Sequence, residues 1–317
     1  MPILLAGIDI GGTMIKGALF NEHAELIKRF ETPSFPDKDS DKFIKNIISF
    51  INSMTAQKIS AVGIGIAGLL DPSREVLMES PNLPRLKNLP LKSRISAKLN
   101  MPVSIENDAN IAALGELSAG EGKTIDNFLL MTMGTGLGSG LVMNRQLVIG
   151  ESGKGGEFGH MIVQPDGELC GCGKKGCLEA YASGSAMIRM AKTALKQGRP
   201  SLLMDMYQKD PDLITPKAIY TAAEDNDALA QEIFRTTAKY LAIGISNVNN
   251  LLDIHTFIIG GGVSKASHIF REGLLHQVRD NVFAVSRDKI KIRISKLGND
   301  AGILGAGYLA QKVMIDE

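Results

Sequence analysis

The sequence predicts an α/β protein of two domains that contains a repeated strand–turn–strand unit. Its 317 residues exceed what one hydrophobic core usually serves, so two cores are expected. Short apolar runs bounded by glycine alternate with segments of helical periodicity, which is typical of α/β proteins. Two pairs of these runs enclose a turn that contains glycine and threonine, at residues 11–13 and 134–136. We therefore predict one such hairpin in each domain, with both facing a shared cleft.

The first hairpin is a candidate phosphate-binding turn. Apolar residues 3–10 and 15–20 enclose the segment Asp-Ile-Gly-Gly-Thr at 9–13, and Lys16 follows. Adjacent glycines let backbone N–H groups approach an anion closely, although a Gly-Gly pair is also typical of an ordinary hairpin turn. Asp9 is unusual in an otherwise apolar strand. A carboxylate there can orient a hydrated Mg²⁺ beside the phosphates of a nucleotide.

A second candidate site lies at a strand-to-helix junction. The strand at 103–105 leads into Glu-Asn-Asp-Ala-Asn at 106–110 and then into an alanine-rich helix. Capping of that helix accounts for one of the polar residues Asn107 and Asp108 and leaves the other unexplained. Beside a phosphate-binding turn, Asp108 is suited to act as a general base that removes a proton from a substrate hydroxyl.

Other glycine-rich segments match nucleotide fingerprints only in part. Residues 134–140 resemble the dinucleotide fingerprint, but an apolar strand follows where that fingerprint requires a helix. The segment 122–124, Gly-Lys-Thr, lacks the first glycine of a P-loop. A third turn, at 260–262, leads from a strand into a helix. This turn can hold an adenine against bare backbone or can be a simple tight connection.

All three cysteines lie in one glycine-rich loop together with a histidine. The four residues are His160, Cys170, Cys172 and Cys177. One imidazole and three thiolates are the ligand set of a closed, tetrahedral structural Zn²⁺ site. Three buried free thiols are the alternative, but a loop rich in glycine and lysine is a poor candidate for a core. The loop also carries a carboxylate at each edge, Glu157 and Glu179.

Composition argues against nucleic-acid and membrane partners. The formal net charge is +1 and the charged residues are interspersed, so the chain has no polyanion-binding signature. No apolar run reaches the length of a membrane span, and residues 1–10 lack a basic leader and a cleavage site. Clustered cysteines suit a metal better than disulfides, which favours a reducing compartment. We expect a cytoplasmic protein.

Together these motifs resemble the signature of the ROK family, which comprises sugar kinases, open reading frames and repressors. The resemblance extends over nearly the whole chain, and its most specific parts are the motifs ExGH at 157–160 and CxCGxxGCxE at 170–179. It implies an actin-like ATPase fold, ribonuclease H-like, with duplicated α/β domains around a central cleft. The smaller N-terminal domain would comprise residues 1–115 plus 303–317. The larger domain, residues 116–302, would carry the zinc loop.

The resemblance also implies a reaction and a role for each matching residue. A hexose would be phosphorylated at its 6-hydroxyl by ATP with Mg²⁺, and Asp108 would be the general base. The sugar would be bound by Asn107, Asp108, Glu157, His160, Glu179, Gly68 and Asn82. ATP and Mg²⁺ would be bound by Asp9, Gly11, Gly12, Thr13, Lys16, Gly134, Thr135, Gly136 and Gly261. The structural Zn²⁺ would be held by His160, Cys170, Cys172 and Cys177.

The expected substrate is glucose, because the spacing between His160 and Cys170 resembles that of family glucokinases. N-acetylmannosamine, N-acetylglucosamine, fructose and allose stay open as alternative sugars. The family resemblance further implies a homodimer.

Three other functions compete with the kinase. A repressor of the family is disfavoured, because Asp9 lies so near the start that no N-terminal helix-turn-helix is expected. A zinc hydrolase or deaminase is disfavoured, because four protein ligands would close the metal site and His160 belongs to neither an HxE nor an HExxH motif. A non-catalytic sugar-sensing protein remains the alternative from another class, although Asp108 argues against it.

Overall fold

The computed structural model describes residues 3–34, 39–80 and 86–316. Its strands are β1 (Leu5–Ile10), β2 (Met14–Phe20), β3 (Leu26–Pro33), β4 (Ala61–Ile66), β5 (Leu69–Leu70), β6 (Leu77–Glu79), β7 (Val103–Asn107), β8 (Phe128–Met133), β9 (Leu137–Met143), β10 (Gln146–Leu147), β11 (Thr256–Gly260) and β12 (Lys291–Ile294). Its helices are α1 (Ser40–Ser53), α2 (Leu91–Leu99), α3 (Asp108–Ala119), α4 (Glu179–Ala182), α5 (Gly184–Lys196), α6 (Met204–Lys209), α7 (Pro216–Glu224), α8 (Ala228–Leu252), α9 (Ser267–Asn281) and α10 (Ala301–Asp316).

The chain divides into two compact units. The first comprises Met1–Asp126, Gly140–Gly156 and Leu297–Glu317, and the second comprises Asn127–Ser139 and Glu157–Lys296. The C-terminal helix α10 therefore returns to the unit in which the chain begins. The domain ranges expected from the sequence, with boundaries at 115/116 and 302/303, remain a prediction.

The first unit is built on a five-stranded mixed sheet in the order β3-β2-β1-β4-β7. Strands β1 and β2 form the antiparallel hairpin that the sequence predicts, while β1, β4 and β7 run parallel. Alternate residues of β1 pack on opposite faces. Ile8 joins a cluster with Phe43 and Ile47 of α1, whereas Leu5 joins one with Ile303 of α10. Coverage of both faces explains why these strands are apolar along most of their length.

Helix α10 approaches β4 and α3 closely because glycines lie at the points of contact, in β4 and in α10 itself. A Cβ on Gly63 of β4 would collide with the backbone carbonyl oxygen of Ala306, and one on Gly305 would collide with that of Ile111 in α3. The absence of these side chains lets the backbones of α10, β4 and α3 come together. The small residues at 301, 302 and 305–307 of the sequence predict this close packing, and the structure confirms it.

Two prolines among polar residues predict a loop at residues 32–40, but the edge strand β3 covers the first two of these residues. The strand includes Thr32 and Pro33, and Lys28, Arg29 and Glu31 are among its exposed residues. An edge strand needs few apolar side chains, so it carries little periodic signal. Residues 35–38 of the predicted loop lie outside the described residues.

The second sheet has the order β10-β9-β8-β11-β12, with β11 parallel to both β8 and β12. The division into units falls within β9, since Ser139 belongs to the second unit and Gly140 to the first. In the second unit the parallel pairing of β8 with β11 brings the carboxyl ends of these two strands to the same edge. The glycine turns that follow the two strands therefore begin at neighbouring positions.

The long helix α8 supplies much of the second unit's core. The side chain of Asp227 caps its first turn by accepting a hydrogen bond from the Ala230 N–H at 2.8 Å. A Cβ on Gly244 would lie 2.7 Å from Leu178 Cδ2 and 2.8 Å from Phe158 Cζ. The residues flanking the cysteine loop therefore pack directly on this helix.

Within the described ranges, no helix combines the length and apolar character needed to cross a membrane.

Candidate active site and metal centre

The carboxyl ends of three parallel strands bring the first group of candidate residues together. The registers place Asp9 of β1 beside Gly65 of β4, and Gly65 beside Glu106 of β7. The edge formed by the carboxyl ends of parallel strands is where α/β proteins place ligands. Asn107 and Asp108 follow Glu106 directly, so the two sequence-predicted sites in this unit lie at one edge.

The turn after β1 exposes its backbone. The Gly11 N–H donates a hydrogen bond to the Met14 carbonyl at 3.0 Å, which closes the turn. That N–H is therefore engaged, whereas Gly12 and Thr13 are exposed. Lys16 pairs with Asp9 across the hairpin, and its Nζ donates to the Asn299 carbonyl at 3.4 Å. The turn thus combines two exposed residues with a lysine that lies close to an aspartate.

Asp9 carries its charge at an energetic disadvantage. Burial and the neighbouring charge of Asp108 raise the pKa of Asp9 to about 6, and Lys16 opposes the rise. A Cβ on Gly302 would lie 2.5 Å from Asp9 Oδ2, so the start of α10 lies against this carboxylate. Because the Asp9 carboxylate is partly dehydrated and lies near the charge of Asp108, binding of a cation there would be favourable. Mg²⁺ prefers hard oxygen ligands of this kind.

The two polar residues at the start of α3 have different tasks. Asn107 is the N-cap: its Oδ1 accepts hydrogen bonds from the N–H groups of Ala109 at 2.8 Å and Asn110 at 3.3 Å. Asp108 is exposed and accepts a hydrogen bond from the Ala109 N–H at 2.9 Å. The surrounding protein still removes part of its hydration, which raises the pKa of Asp108. A raised pKa makes a carboxylate a better proton acceptor near neutral pH.

Gly68 lies beside this junction. The Asn107 amide Nδ2 donates to the Gly68 carbonyl at 3.0 Å. A Cβ on Gly68 would come within 2.6 Å of the Glu79 carbonyl oxygen, so a side chain does not fit there. Asn82, the other predicted pocket residue, lies outside the described residues.

The turn between β8 and β9 is held by α4 and α5 of the second unit. The N–H groups of Gly184 and Ser185 donate to the carbonyls of Gly134 and Thr135 at 2.8 and 3.1 Å. Gly261, which has φ +82°, lies against the end of β8, where a Cβ would collide with the Met133 carbonyl oxygen. The structure therefore brings the predicted nucleotide residues at 134–136 and at 261 to one edge of the sheet.

The cysteine loop gathers its four predicted metal ligands. One ligand atom from each residue lies within 4.8 Å of the others; the residues are His160, Cys170, Cys172 and Cys177. The loop folds back through isolated β-bridges, which join Ile162 to Cys177 and Leu169 to Lys175. Gly173 and Gly176 have φ values of +85° and +79°, a region that favours glycine.

The distances within this cluster fit a tetrahedral zinc. Bonds of about 2.3 Å to sulfur and about 2.0 Å to nitrogen place two sulfurs about 3.8 Å apart and a sulfur about 3.5 Å from the nitrogen. The Sγ atoms of Cys172 and Cys177 are 3.7 Å apart, and Cys170 Sγ is 3.7 Å from His160 Nδ1. The other ligand atoms of the cluster lie within 4.8 Å of one another, so the side chains would close by up to about 1 Å to hold the ion.

The carboxylates at the two edges of the loop differ in their surroundings. Glu157 is exposed and precedes a short 3₁₀ turn, Phe158–His160, whose Phe158 is buried. Glu179 Oε2 accepts the Leu137 N–H at 2.9 Å, and its Oε1 lies 3.5 Å from Cys170 Sγ. Glu179 thus joins the cysteine cluster to the turn between β8 and β9. Sequence spacing alone indicates no such connection.

The structure also contains site residues that sequence analysis missed. Glu106, which accepts the Asn107 N–H, forms a buried ion pair with Arg74, whose Nε donates to Glu106 Oε2 at 2.9 Å. Glu106 is visible in the sequence only as the polar residue before Asn107. Arg74 carries no local signal, because its partner is 32 residues away in the chain.

Comparison with known proteins assigns these motifs to a family. The sequence profile of the ROK family matches residues 5–313. This chain belongs to the ROK family. The family resemblance inferred from the motifs is thereby confirmed.

Members of the ROK family resemble this chain along almost its whole length. The glucokinase of Halalkalibacterium halodurans is 34% identical, over 96% of this chain and 94% of that protein. The structure of a ROK family glucokinase from Streptomyces griseus in complex with glucose and AMPPNP matches with a TM-score of 0.81 and 34% identity, over 98% of this chain and 99% of that one. The ROK hexokinase of Thermus thermophilus matches with a TM-score of 0.85 and 29% identity, over 99% of this chain and 100% of that one. The prediction of an actin-like ATPase fold is confirmed.

Proposed function

We propose that this chain is an ATP-dependent hexose kinase that phosphorylates the 6-hydroxyl of glucose. The choice of glucose and ATP as substrates is supported by similarity to the glucokinase of H. halodurans and to the S. griseus glucokinase in complex with glucose and AMPPNP. The observation that carries the chemistry is at residues 107 and 108. Asn107 is the N-cap of α3, and the exposed Asp108 carboxylate, which accepts the Ala109 N–H there and has a raised pKa, can also accept a proton.

The reaction transfers one phosphoryl group and one proton. Asp108 takes the proton of the 6-hydroxyl as that oxygen bonds to the γ-phosphorus, and the bond from phosphorus to the bridging oxygen breaks to release ADP. Mg²⁺ bound with ATP would neutralise charge on the phosphates. We propose that Asp9 orients this ion through its water ligands and that Lys16 and the exposed N–H groups of the turn hold phosphate oxygens.

The nucleotide and the sugar are each assigned further residues. For ATP we propose Gly11, Gly12, Thr13, Gly134, Thr135, Gly136 and Gly261. The engaged N–H of Gly11 would shape its turn rather than bind phosphate. For the sugar we propose Asn107, Glu157, His160, Glu179, Gly68 and Asn82. Carboxylates accept hydrogen bonds from adjacent hydroxyls, which suits a pyranose ring.

We also propose that the cluster of His160 and three cysteines holds a structural Zn²⁺ that anchors the loop between Glu157 and Glu179. A site closed by four protein ligands would stabilise the loop and would take no part in the phosphoryl transfer. The three cysteines form no disulfide, and this, together with the use of ATP, supports a cytoplasmic location. A homodimer is proposed on the family resemblance, and light scattering during gel filtration tests it.

An ATP-coupled assay against a sugar panel tests the proposed function. The panel contains glucose, fructose, allose, N-acetylglucosamine and N-acetylmannosamine. Glucose should give the highest kcat/KM, and Asp108→Asn should lower kcat by at least about 100-fold while glucose still binds in calorimetry. Binding of glucose without turnover in the wild-type chain would identify a sugar sensor instead. Normal turnover in Asp108→Asn would remove Asp108 from the mechanism.

A further inference from the structure

One arginine links the junction that carries Asp108 to a glycine-rich loop. Arg74 lies in the turn between β5 and β6, and only 12% of its side chain is exposed. Its Nε donates to Glu106 Oε2 at 2.9 Å, and its Nη1 donates to the Gly153 carbonyl at 3.1 Å. Two edges of one guanidinium therefore contact two segments far apart in the sequence.

The other oxygen of Glu106 holds the start of α3. Glu106 Oε1 accepts the Asn107 N–H at 2.8 Å and the Asn110 Nδ2 group at 3.0 Å. These two hydrogen bonds lie on either side of Asp108 in the chain. The Glu106 carboxylate thus fixes the first turn of α3, which begins at Asp108. Arg74 in turn fixes the position of the Glu106 carboxylate.

The turn that presents Arg74 has an uncommon backbone. Arg74 has φ +58°, in the left-handed region that non-glycine residues rarely adopt. Asp71 supports this turn, because its Oδ1 accepts the N–H groups of Glu75 at 2.8 Å and Val76 at 2.6 Å. This conformation costs free energy, which the hydrogen bonds of Asp71 help to offset.

The partner loop is equally specific. Gly153 has φ +76°, and a Cβ on it would lie 2.9 Å from Arg74 Nη1 and 2.9 Å from the Leu70 carbonyl oxygen. Only glycine lets this backbone approach the guanidinium. The loop ends at Gly156, which immediately precedes Glu157 in the sequence. Arg74 thus also helps to fix the segment that leads into a proposed sugar-binding residue.

This buried pair is a poor stabiliser of the fold. Among the residues that the structure describes, Arg74 Nη2 is buried and has no hydrogen-bond partner. Removing an ion pair from water carries a large desolvation penalty, which incomplete hydrogen bonding leaves partly uncompensated. The geometry, rather than the stability, of the region is what the pair supplies.

We propose that Arg74 is a positioning residue for phosphoryl transfer, which acts through Glu106 on Asp108 and through Gly153 on the loop before Glu157. This inference rests on the proposed function. To hold Glu106 and Gly153 at once, the side chain needs a planar guanidinium whose N–H donors point in fixed, separate directions. The ammonium group of a lysine is a single point charge and cannot hold both partners in the same geometry. Replacement of Arg74 by lysine should therefore impair catalysis although the positive charge is kept.

Kinetics of matched variants test the proposal. Arg74→Lys should lower kcat by at least about 10-fold, and Arg74→Met by about 100-fold, which is the loss typical of a misplacement of about 1 Å. Lys92→Met is the control and should leave kcat unchanged, because Lys92 forms a half-buried ion pair, at 2.6 Å, with Glu75, the residue after Arg74. Glucose affinity is measured by calorimetry, since the chain has no tryptophan to report binding.

A double variant separates positioning from stability. Arg74→Met alone leaves the Glu106 carboxylate buried and unpaired, so its melting temperature should fall. Arg74→Met combined with Glu106→Gln removes that charge and should recover the melting temperature while kcat stays low. Recovery of kcat together with stability, or a normal kcat in Arg74→Lys, would overturn the proposal.

Hydrogen exchange gives a readout independent of turnover. Peptides that cover residues 106–114 and 148–156 should exchange faster in Arg74→Lys than in the wild type, while peptides from α1 remain unchanged. Unchanged exchange in both peptides would overturn the positioning role even for an active enzyme. A wild-type chain that turns over no sugar, with faster exchange in the variant, would refute the proposed function and leave only the structural link.

Discussion

Replacing Asp9 with asparagine should make the ligand-free protein more stable while it removes activity. Asp9 has a pKa of about 6 in the folded protein against 3.8 for the free side chain. A difference of about 2 pKa units corresponds to about 3 kcal/mol at about 1.4 kcal/mol per unit. Because the folded pKa is the higher one, ionisation of Asp9 disfavours folding, and the full penalty applies above about pH 6. The asparagine side chain does not ionise, so Asp9→Asn should gain up to about 3 kcal/mol at pH 8.

The pH dependence of this gain identifies its origin. Below about pH 3.8 the carboxyl is protonated in both states and the advantage of Asp9→Asn vanishes; at pH 5 it should be roughly half its value at pH 8. Urea unfolding followed by circular dichroism at pH 5 and pH 8 measures it. Asp205→Asn, which removes an exposed carboxylate on α6, should change stability by less than about 0.5 kcal/mol.

The same variant of Asp9 should lose phosphoryl transfer, because its amide cannot replace the carboxylate beside Mg²⁺. A gain in stability that is equal at both pH values, or no gain at all, would refute the electrostatic account of Asp9. Full activity with the stability gain would show that the carboxylate is not used for the nucleotide and its metal.

Three further predictions concern the metal, the nucleotide and the fold. Cys172→Ser should reduce the zinc content found by mass spectrometry and raise the KM for glucose about 10- to 100-fold; a native protein without zinc would contradict the anchored loop. Lys16→Ala should raise the KM for ATP more than that for glucose, and equal changes would point to misfolding instead. Gly305→Ala should destabilise the fold by about 1–3 kcal/mol through its collision with Ile111, whereas Gly273→Ala, in open space on α9, should stabilise it by about 0.5–1 kcal/mol. Equal effects of the two glycine variants in thermal unfolding would refute the packing argument.

Local patterns in the sequence were enough to identify most of the elements and the kinds of chemistry. Alternation of apolar strands with helical segments predicts the β1–β2 hairpin and the helix α3, because burial dictates residue type along each element. The CxCGxxGCxE run predicts the metal ligands, since the loop is short and its glycines permit the reversal. The pair Asn107 and Asp108 predicts a cap plus one further task, because one helix start needs only one N-cap.

Contacts between distant segments could not be obtained in this way. The ion pair of Arg74 with Glu106 depends on the positions of the β5–β6 turn and β7, and neither segment encodes the other. The contact of Glu179 with the Leu137 N–H arises from the packing of α4 against the turn after β8. Edge strand β3 lacks the apolar signal that burial would impose. Spacing along the chain specifies which side chains a segment can present, whereas the register of the sheets and the packing of helices on them select the partners that those side chains meet.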